Sequence, residues 1–235
     1  MNKQYLYTNT AHYTQQSNKA VIVLPEIFGI TDFIKNVTDR FADEFSLPAF
    51  ALDHFYSATG KVEVFDYYGD YSRNMEIMNN MKGEDFYKLF QQALGEIQAE
   101  HPAITEFVVV GFCFGGRLAY LAGMDERVGK VVSFYGGQPH VVNYYEGKSP
   151  VEALTDARGG DGGLRVLGFY GGQDESITAA DREKTKELLA KADIGYVAKV
   201  YESAGHAYFN DSRPERYNAE AAAQSWQVVG EFIRE

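Results

Sequence analysis

The sequence predicts a single α/β domain over residues 1–235, built on a mostly parallel central sheet with helices on both faces. Three observations predict it. Short apolar runs alternate with amphipathic stretches along the chain. The runs are continuously apolar rather than alternately polar and apolar, which is how strands covered on both faces read. The 235 residues, 45% of them hydrophobic, fill one domain of this kind, and no shift in composition marks a second.

The elements follow in order. Residues 20–24 (Ala-Val-Ile-Val-Leu) are rich in β-branched side chains and stop at Pro25, the pattern of a buried strand. Phe33, Ile34, Val37, Phe41 and Phe45 recur at helical spacing and predict a helix over residues 33–45. Residues 48–52 read as a short strand. Phe86, Leu89, Phe90, Ala93, Leu94 and Ile97 place an amphipathic helix over residues 84–100. Residues 106–110 are a buried strand, with a helix over 115–123 directly after it. Strands are predicted over 128–134 and 164–170, a helix over 179–192, a strand over 196–201 and a closing helix over 215–233. Two stretches lack a period: residues 56–81, with Tyr56, Tyr67, Tyr68 and Tyr71, and residues 136–163, rich in glycine. Each reads equally as a pocket-shaping excursion or as an ordinary surface connection.

Composition narrows the function. A net charge of −11 argues against a nucleic-acid partner, because the phosphate backbone is gripped mainly by Lys and Arg. The longest apolar runs fall far short of the roughly 20 residues that cross a bilayer, so no membrane partner is expected. The N-terminus, Met1-Asn2-Lys3-Gln4-Tyr5, lacks the pattern of a signal peptide, and a cytoplasmic location is expected. The single cysteine excludes an internal disulfide, a CxxC redox pair and an all-thiolate zinc site. His12, His54, His101, His140 and His206 show no paired metal-binding spacing, so no metal is expected.

In parallel sheets, sites form in loops beyond the carboxyl ends of strands. Three such loops carry the candidate nucleophile, acid and base, and a fourth carries a candidate oxyanion donor. Gly111-Phe-Cys-Phe-Gly-Gly116 lies between a strand and a helix with the spacing G-x-C-x-G, the nucleophile-elbow pattern with cysteine in place of serine. Glycines on either side let a sharp turn pass. The helix start then aims backbone N–H groups at the sulfur and at a developing oxyanion. Phe169-Tyr-Gly-Gly-Gln-Asp174 ends the next loop, where Asp174 would orient an imidazole or, alternatively, cap the helix starting near Thr178. Ser203-Ala-Gly-His206 follows the last strand. Nucleophile, acid, histidine is the chain order of the α/β-hydrolase triad, and each residue lies at the end of its own strand. Pro25-Glu26-Ile-Phe-Gly29 follows the first buried strand, and that loop supplies the second oxyanion N–H in this fold.

Leu24-Pro-Glu-Ile-Phe-Gly29, the cysteine elbow, Gly171-Gly-Gln-Asp174 and Gly205-His-Ala-Tyr-Phe-Asn-Asp211 together resemble the dienelactone hydrolase (carboxymethylenebutenolidase-like) family, in order from about residue 20 to the C-terminus. The resemblance implies an α/β-hydrolase fold and roles for each residue. Cys113 would be the nucleophile, His206 the base and then acid, and Asp174 the orienting carboxylate. Glu26 would pair with the resting thiol and help generate the thiolate. The backbone N–H groups of Ile27 and Phe114 would form the oxyanion hole. No cofactor is implied. The founding members hold a substrate carboxylate with arginines, one of them four residues after the histidine, where this chain has Asn210. Arg73, Arg213 and Arg216 could compensate or be solvated surface charges. Arg73, Tyr135 and Arg213 are the candidate substrate-binding residues.

The reaction expected is therefore hydrolysis of a small-molecule carboxylic ester or lactone by a monomer, through a thioacyl intermediate. An ester, a thioester and a different lactone are as plausible as dienelactone itself. A cysteine acyltransferase or thioesterase, and a catalytically idle ligand-binding member of the fold, are the competing readings.

Overall fold

The structure, a computed structural model, describes residues 4–14, 16–140, 144–160 and 162–235. Its strands are β1 (Leu6–Asn9), β2 (Lys19–Leu24), β3 (Ala49–Leu52), β4 (Glu106–Phe112), β5 (Val128–Phe134), β6 (Arg165–Gly171) and β7 (Gly195–Tyr201). Its helices are α1 (Asp32–Phe45), α2 (Tyr56–Thr59), α3 (Ser72–Asn80), α4 (Gly83–Glu100), α5 (Phe114–Ala122), α6 (Pro150–Arg158), α7 (Ala179–Lys191) and α8 (Ala219–Arg234).

The period of two along each strand sets the layers. In β2, Ala20, Ile22 and Leu24 join one core, with α4, α5 and residues of α6 and α7. Val21 and Val23 join the other, against α1 and α8. The strands lie in the order β1-β3-β2-β4-β5-β6-β7 among the described residues. Only β1 runs antiparallel, pairing with β3; every other pair is parallel. This is the α/β-hydrolase fold that the triad order implied. The carboxyl ends of β2, β4, β6 and β7 consequently open on one edge of the sheet. Strand β7 closes that sheet with one neighbour, β6, and none of its residues is fully buried.

The central elements match the sequence expectations to within a few residues. The differences have local causes. Strand β1 was not predicted, because its four residues are too short to show a period. The irregular stretch 56–81 holds α2 and α3, and the glycine-rich stretch 136–163 holds α6. Residues 141–143 and 161 of that stretch, and residues 1–3 of the N-terminus, lie outside the described residues. Helix α6 starts from a capping box: Ser149 accepts from the Glu152 N–H, and Glu152 accepts from Ser149, with Pro150 at the first helical position. Helix α8 starts at Ala219 rather than at residue 215, because the Asn218 side chain accepts from the Ala221 N–H and fixes the helix start there. Its far end is held by Lys130, whose Nζ donates to the Phe232 carbonyl at 2.8 Å.

Candidate active site

Cys113 sits between β4 and α5 at φ 51° and ψ −113°, a left-handed conformation that a non-glycine residue adopts only under constraint. The constraint is visible on both sides. The Cys113 N–H donates to the Phe134 carbonyl at 3.0 Å, and the Gly115 N–H donates to the Pro25 carbonyl at 3.0 Å. A Cβ on Gly115 would lie 2.3 Å from the Leu24 carbonyl oxygen, and one on Gly111 would lie 2.1 Å from that of Gly115. Glycine is required at both positions for the elbow to close. The turn lifts the partly exposed sulfur above the sheet edge at the start of α5.

The loops after β6 and β7 are tied together by their backbones. The Gly172 N–H donates to Tyr201 at 2.8 Å, and that of Gln173 to Ala204 at 2.9 Å. This brings Asp174 Oδ2 to 2.7 Å from His206 Nδ1, and His206 Nε2 to 3.1 Å from Cys113 Sγ. Asp174 Oδ1 accepts from the Ser176 N–H at 2.9 Å and from its hydroxyl at 2.5 Å. The cap of α7 is Thr178, in a capping box with Asp181, so Asp174 is not used as a helix cap. Burial works to raise the Asp174 carboxyl, but the hydrogen bond and charge of His206 and the two bonds from Ser176 outweigh it and hold it below the usual range. Burial likewise opposes charge on His206. The charge of the Cys113 sulfur, the bonds to Asp174 and Cys113 and the charge of Asp174 prevail and push the imidazole up to about 10.

Glu26 is buried beside these groups, and its carboxyl is held by two other side chains. Oε2 accepts from the Asn210 amide at 2.8 Å, and Oε1 from the Tyr135 hydroxyl at 3.3 Å. No bond joins Glu26 to Cys113 among the described residues. Burial raises the Glu26 carboxyl, against the lowering influence of Asn210, His206, Arg213 and Tyr135. Asn210 therefore holds Glu26, rather than reaching for a ligand. The N–H groups of Ile27 and Phe114 donate to no backbone carbonyl among the described residues, so both remain available.

A cavity of roughly 700 Å³ opens over the sulfur, lined in part by Ile27, Phe28, His206 and Arg213. Arg213 is almost buried, with its guanidinium 5.5 Å from the Phe28 ring centre and 5.7 Å from that of Tyr67, and its Nε 3.3 Å from Glu215. Arg216 also lines the cavity. Two expectations change. Arg73 does not reach this cavity: α3 turns Asn74 and Ile77 inward, which leaves Arg73 outside, 54% exposed and paired with Glu76 and Glu63. Tyr135 is fully buried, contacts Glu26 and the His206 ring, and does not line the cavity.

Three supporting residues escaped sequence reasoning. Ser176 fixes Asp174. Asn74, buried on α3, donates to the Ile27 carbonyl at 3.2 Å. His54, buried after β3, lies against the Pro25 and Glu26 carbonyls. The one signal that could have found His54 is its position, since it follows a strand that ends on the active edge. Nothing in the sequence placed Asn74 there.

The model of the dienelactone hydrolase family matches residues 5–235. A protein of Synechocystis sp., provisionally named a carboxymethylenebutenolidase, is 32% identical over 225 residues, covering 91% of this chain and 85% of its own. A crystal structure from Klebsiella pneumoniae, provisionally a dienelactone hydrolase, has TM-score 0.75 at 24% identity over 90% of this chain and 84% of its own. That of a dienelactone hydrolase-like promiscuous phosphotriesterase from metagenomic libraries has TM-score 0.71 at 21% identity over 92% and 85%. At these identities the two structures speak for the fold.

Proposed function

Since the chain belongs to the dienelactone hydrolase family, we propose that it hydrolyses small carboxylic esters or lactones with Cys113 as nucleophile, His206 as base and acid, and Asp174 as the carboxylate that orients His206. The observation that carries this reading is the chain of contacts under the cavity: sulfur to Nε2 at 3.1 Å, Nδ1 to carboxylate at 2.7 Å. An imidazole pushed up to about 10 holds the proton that the leaving alkoxide needs.

The steps follow from that pair. The thiolate attacks the carbonyl carbon, and the carbonyl electron pair moves to oxygen, where the Ile27 and Phe114 N–H groups receive it. The oxyanion collapses, the C–O bond of the ester breaks, and His206 gives its proton to the leaving alkoxide. The thioacyl intermediate then takes water, whose proton passes to the now neutral His206, and a second collapse returns the thiolate and the acid. In a lactone the alkoxide stays tethered to the acyl group. For Glu26 to accept the thiol proton, as the family resemblance implies, its carboxyl has to give up or share the bonds from Asn210 and Tyr135. With His206 already facing the sulfur, Glu26 in its present position is held in reserve.

The test compares wild type with Cys113→Ala on p-nitrophenyl acetate and a panel of enol lactones, with mass spectrometry of quenched protein. Expected are turnover lost by at least about 10³-fold in the variant and an acyl adduct on the Cys113 peptide of the wild type. Equal turnover in both proteins would remove Cys113 from the mechanism.

A further inference from the structure

We propose that His54 is a positioning residue for the oxyanion hole: by holding the carbonyls behind Ile27 it fixes the direction in which the Ile27 N–H points. The inference rests on Ile27 being an oxyanion donor, as proposed above. His54 is fully buried, and its Nε2 lies 3.0 Å from the Pro25 carbonyl oxygen and 3.3 Å from that of Glu26. A carbonyl only accepts, so Nε2 carries the proton. Among the described residues Nδ1 is buried without a partner, and a second proton there would be an unsatisfied buried charge. Burial accordingly pushes His54 down to about 4, and the ring is a neutral donor at working pH.

The geometry of the peptide does the rest. No cis peptide bond occurs in the described residues, so the Glu26 C=O and the Ile27 N–H point in opposite directions from one plane. Drawing that carbonyl down to His54 turns the N–H the other way, on the side where Ile27 lines the cavity. The Pro25 carbonyl, shared between His54 and the Gly115 N–H, ties this loop to the cysteine elbow. The His54 ring also stands edge-on to Phe114, the residue of the other donor, with centres 5.2 Å apart. An apolar side chain would fill the same volume but remove one of the two donors that hold the Glu26 carbonyl, leaving it to the Gly29 N–H at 3.3 Å.

The experiment compares His54→Leu, which keeps bulk without a donor, with His54→Gln, which restores an N–H. On p-nitrophenyl acetate, His54→Leu is expected to lose kcat on the order of tenfold to a hundredfold with KM within about twofold. Alkylation of Cys113 by iodoacetamide, a displacement that builds no oxyanion, should keep its wild-type rate. His54→Gln should recover most of the kcat. If His54→Leu does not fold, His54→Met takes its place. Unchanged kcat in the apolar variant overturns the proposal, as does a parallel loss of turnover and alkylation in both variants, which marks a purely structural role. Absence of Cys113-dependent turnover in the wild type overturns the mechanism and this inference together.

Discussion

The imidazole of His206 is set by the residues on its two sides, and its protonation gives the first prediction. Because it is pushed up to about 10, kcat/KM should hold from neutral pH into the alkaline range and fall there as the imidazolium loses its proton. Asp174→Asn removes the carboxylate charge that helps keep that proton, so the alkaline limb should move to lower pH; a limb that stays in place would assign it to another group. Two adjacent residues couple pH to stability in opposite directions. Asp53, which accepts from the Phe55 and Glu63 N–H groups, is pushed by burial up to about 7 from 3.8, and His54 is pushed down to about 4 from 6.5. Between about pH 4 and 6.5 the folded chain holds one proton more than the unfolded chain on Asp53 and one fewer on His54, so the two slopes cancel. Relative to wild type, Asp53→Asn should become more stable as pH rises through this window, by up to about 1.4 kcal/mol per unit. His54→Gln should lose stability with rising pH up to about 7. Thermal melts at stepped pH read both, and slopes of the same sign in the two variants would contradict the assignment. Cys113, Asp174 and His206 were legible in the sequence because each follows a strand, in a telling order. The Asn210 clamp on Glu26 was not, since it joins residues 184 apart in sequence, and a lone histidine such as His54 carries no spacing signal at all.

The loop between β2 and α1 behaves as a clamped element. Among its carbonyls, Pro25 receives His54 and Gly115, Glu26 receives His54 and Gly29, Ile27 receives Asn74, and Phe28 receives the Phe65 N–H at 2.9 Å. With these four carbonyls held on the protein side, the N–H groups opposite are pre-arranged before a substrate arrives. The elbow shares this clamp through Gly115. Gly115→Ala would set a Cβ 2.3 Å and 2.4 Å from the Leu24 and Pro25 carbonyl oxygens, and backbone cannot step aside as a flexible side chain can. Turnover should fall at least about tenfold and stability by about 2 kcal/mol or more, read by kinetics and urea unfolding; a variant close to wild type in both would show the elbow to be loose. The sequence displayed the main helices through their apolar period. It hid α6 even though Ser149, Pro150 and Glu152 spell a helix start, because the surrounding glycines masked the period. It hid α3 because its two inward residues, Asn74 and Ile77, include a polar one.

At the scale of the whole molecule, the parallel sheet gathers four loops on one edge, and that gathering was legible because strands buried on both faces read as unbroken apolar runs. The exception is β7, whose residues are mostly exposed, with Val197 at 45%. No helix among the described residues is long and apolar enough to cross a membrane. The placement of β7 has a cost in durability. It is an edge strand bonded on one side only, yet the loop it leads into carries His206. Its backbone amides should therefore open to solvent by local fluctuations of lower free energy than those of β4, and hydrogen–deuterium exchange should be faster in Gly195–Tyr201 than in Glu106–Phe112. On heating, such fraying should withdraw the imidazole while the remaining sheet is still intact. The midpoint of reversible inactivation should then lie below the calorimetric melting temperature, and coincident midpoints would mean that β7 melts only with the whole. A substitution that tightens β7 would raise the working temperature of the catalyst without altering any group that touches the ester.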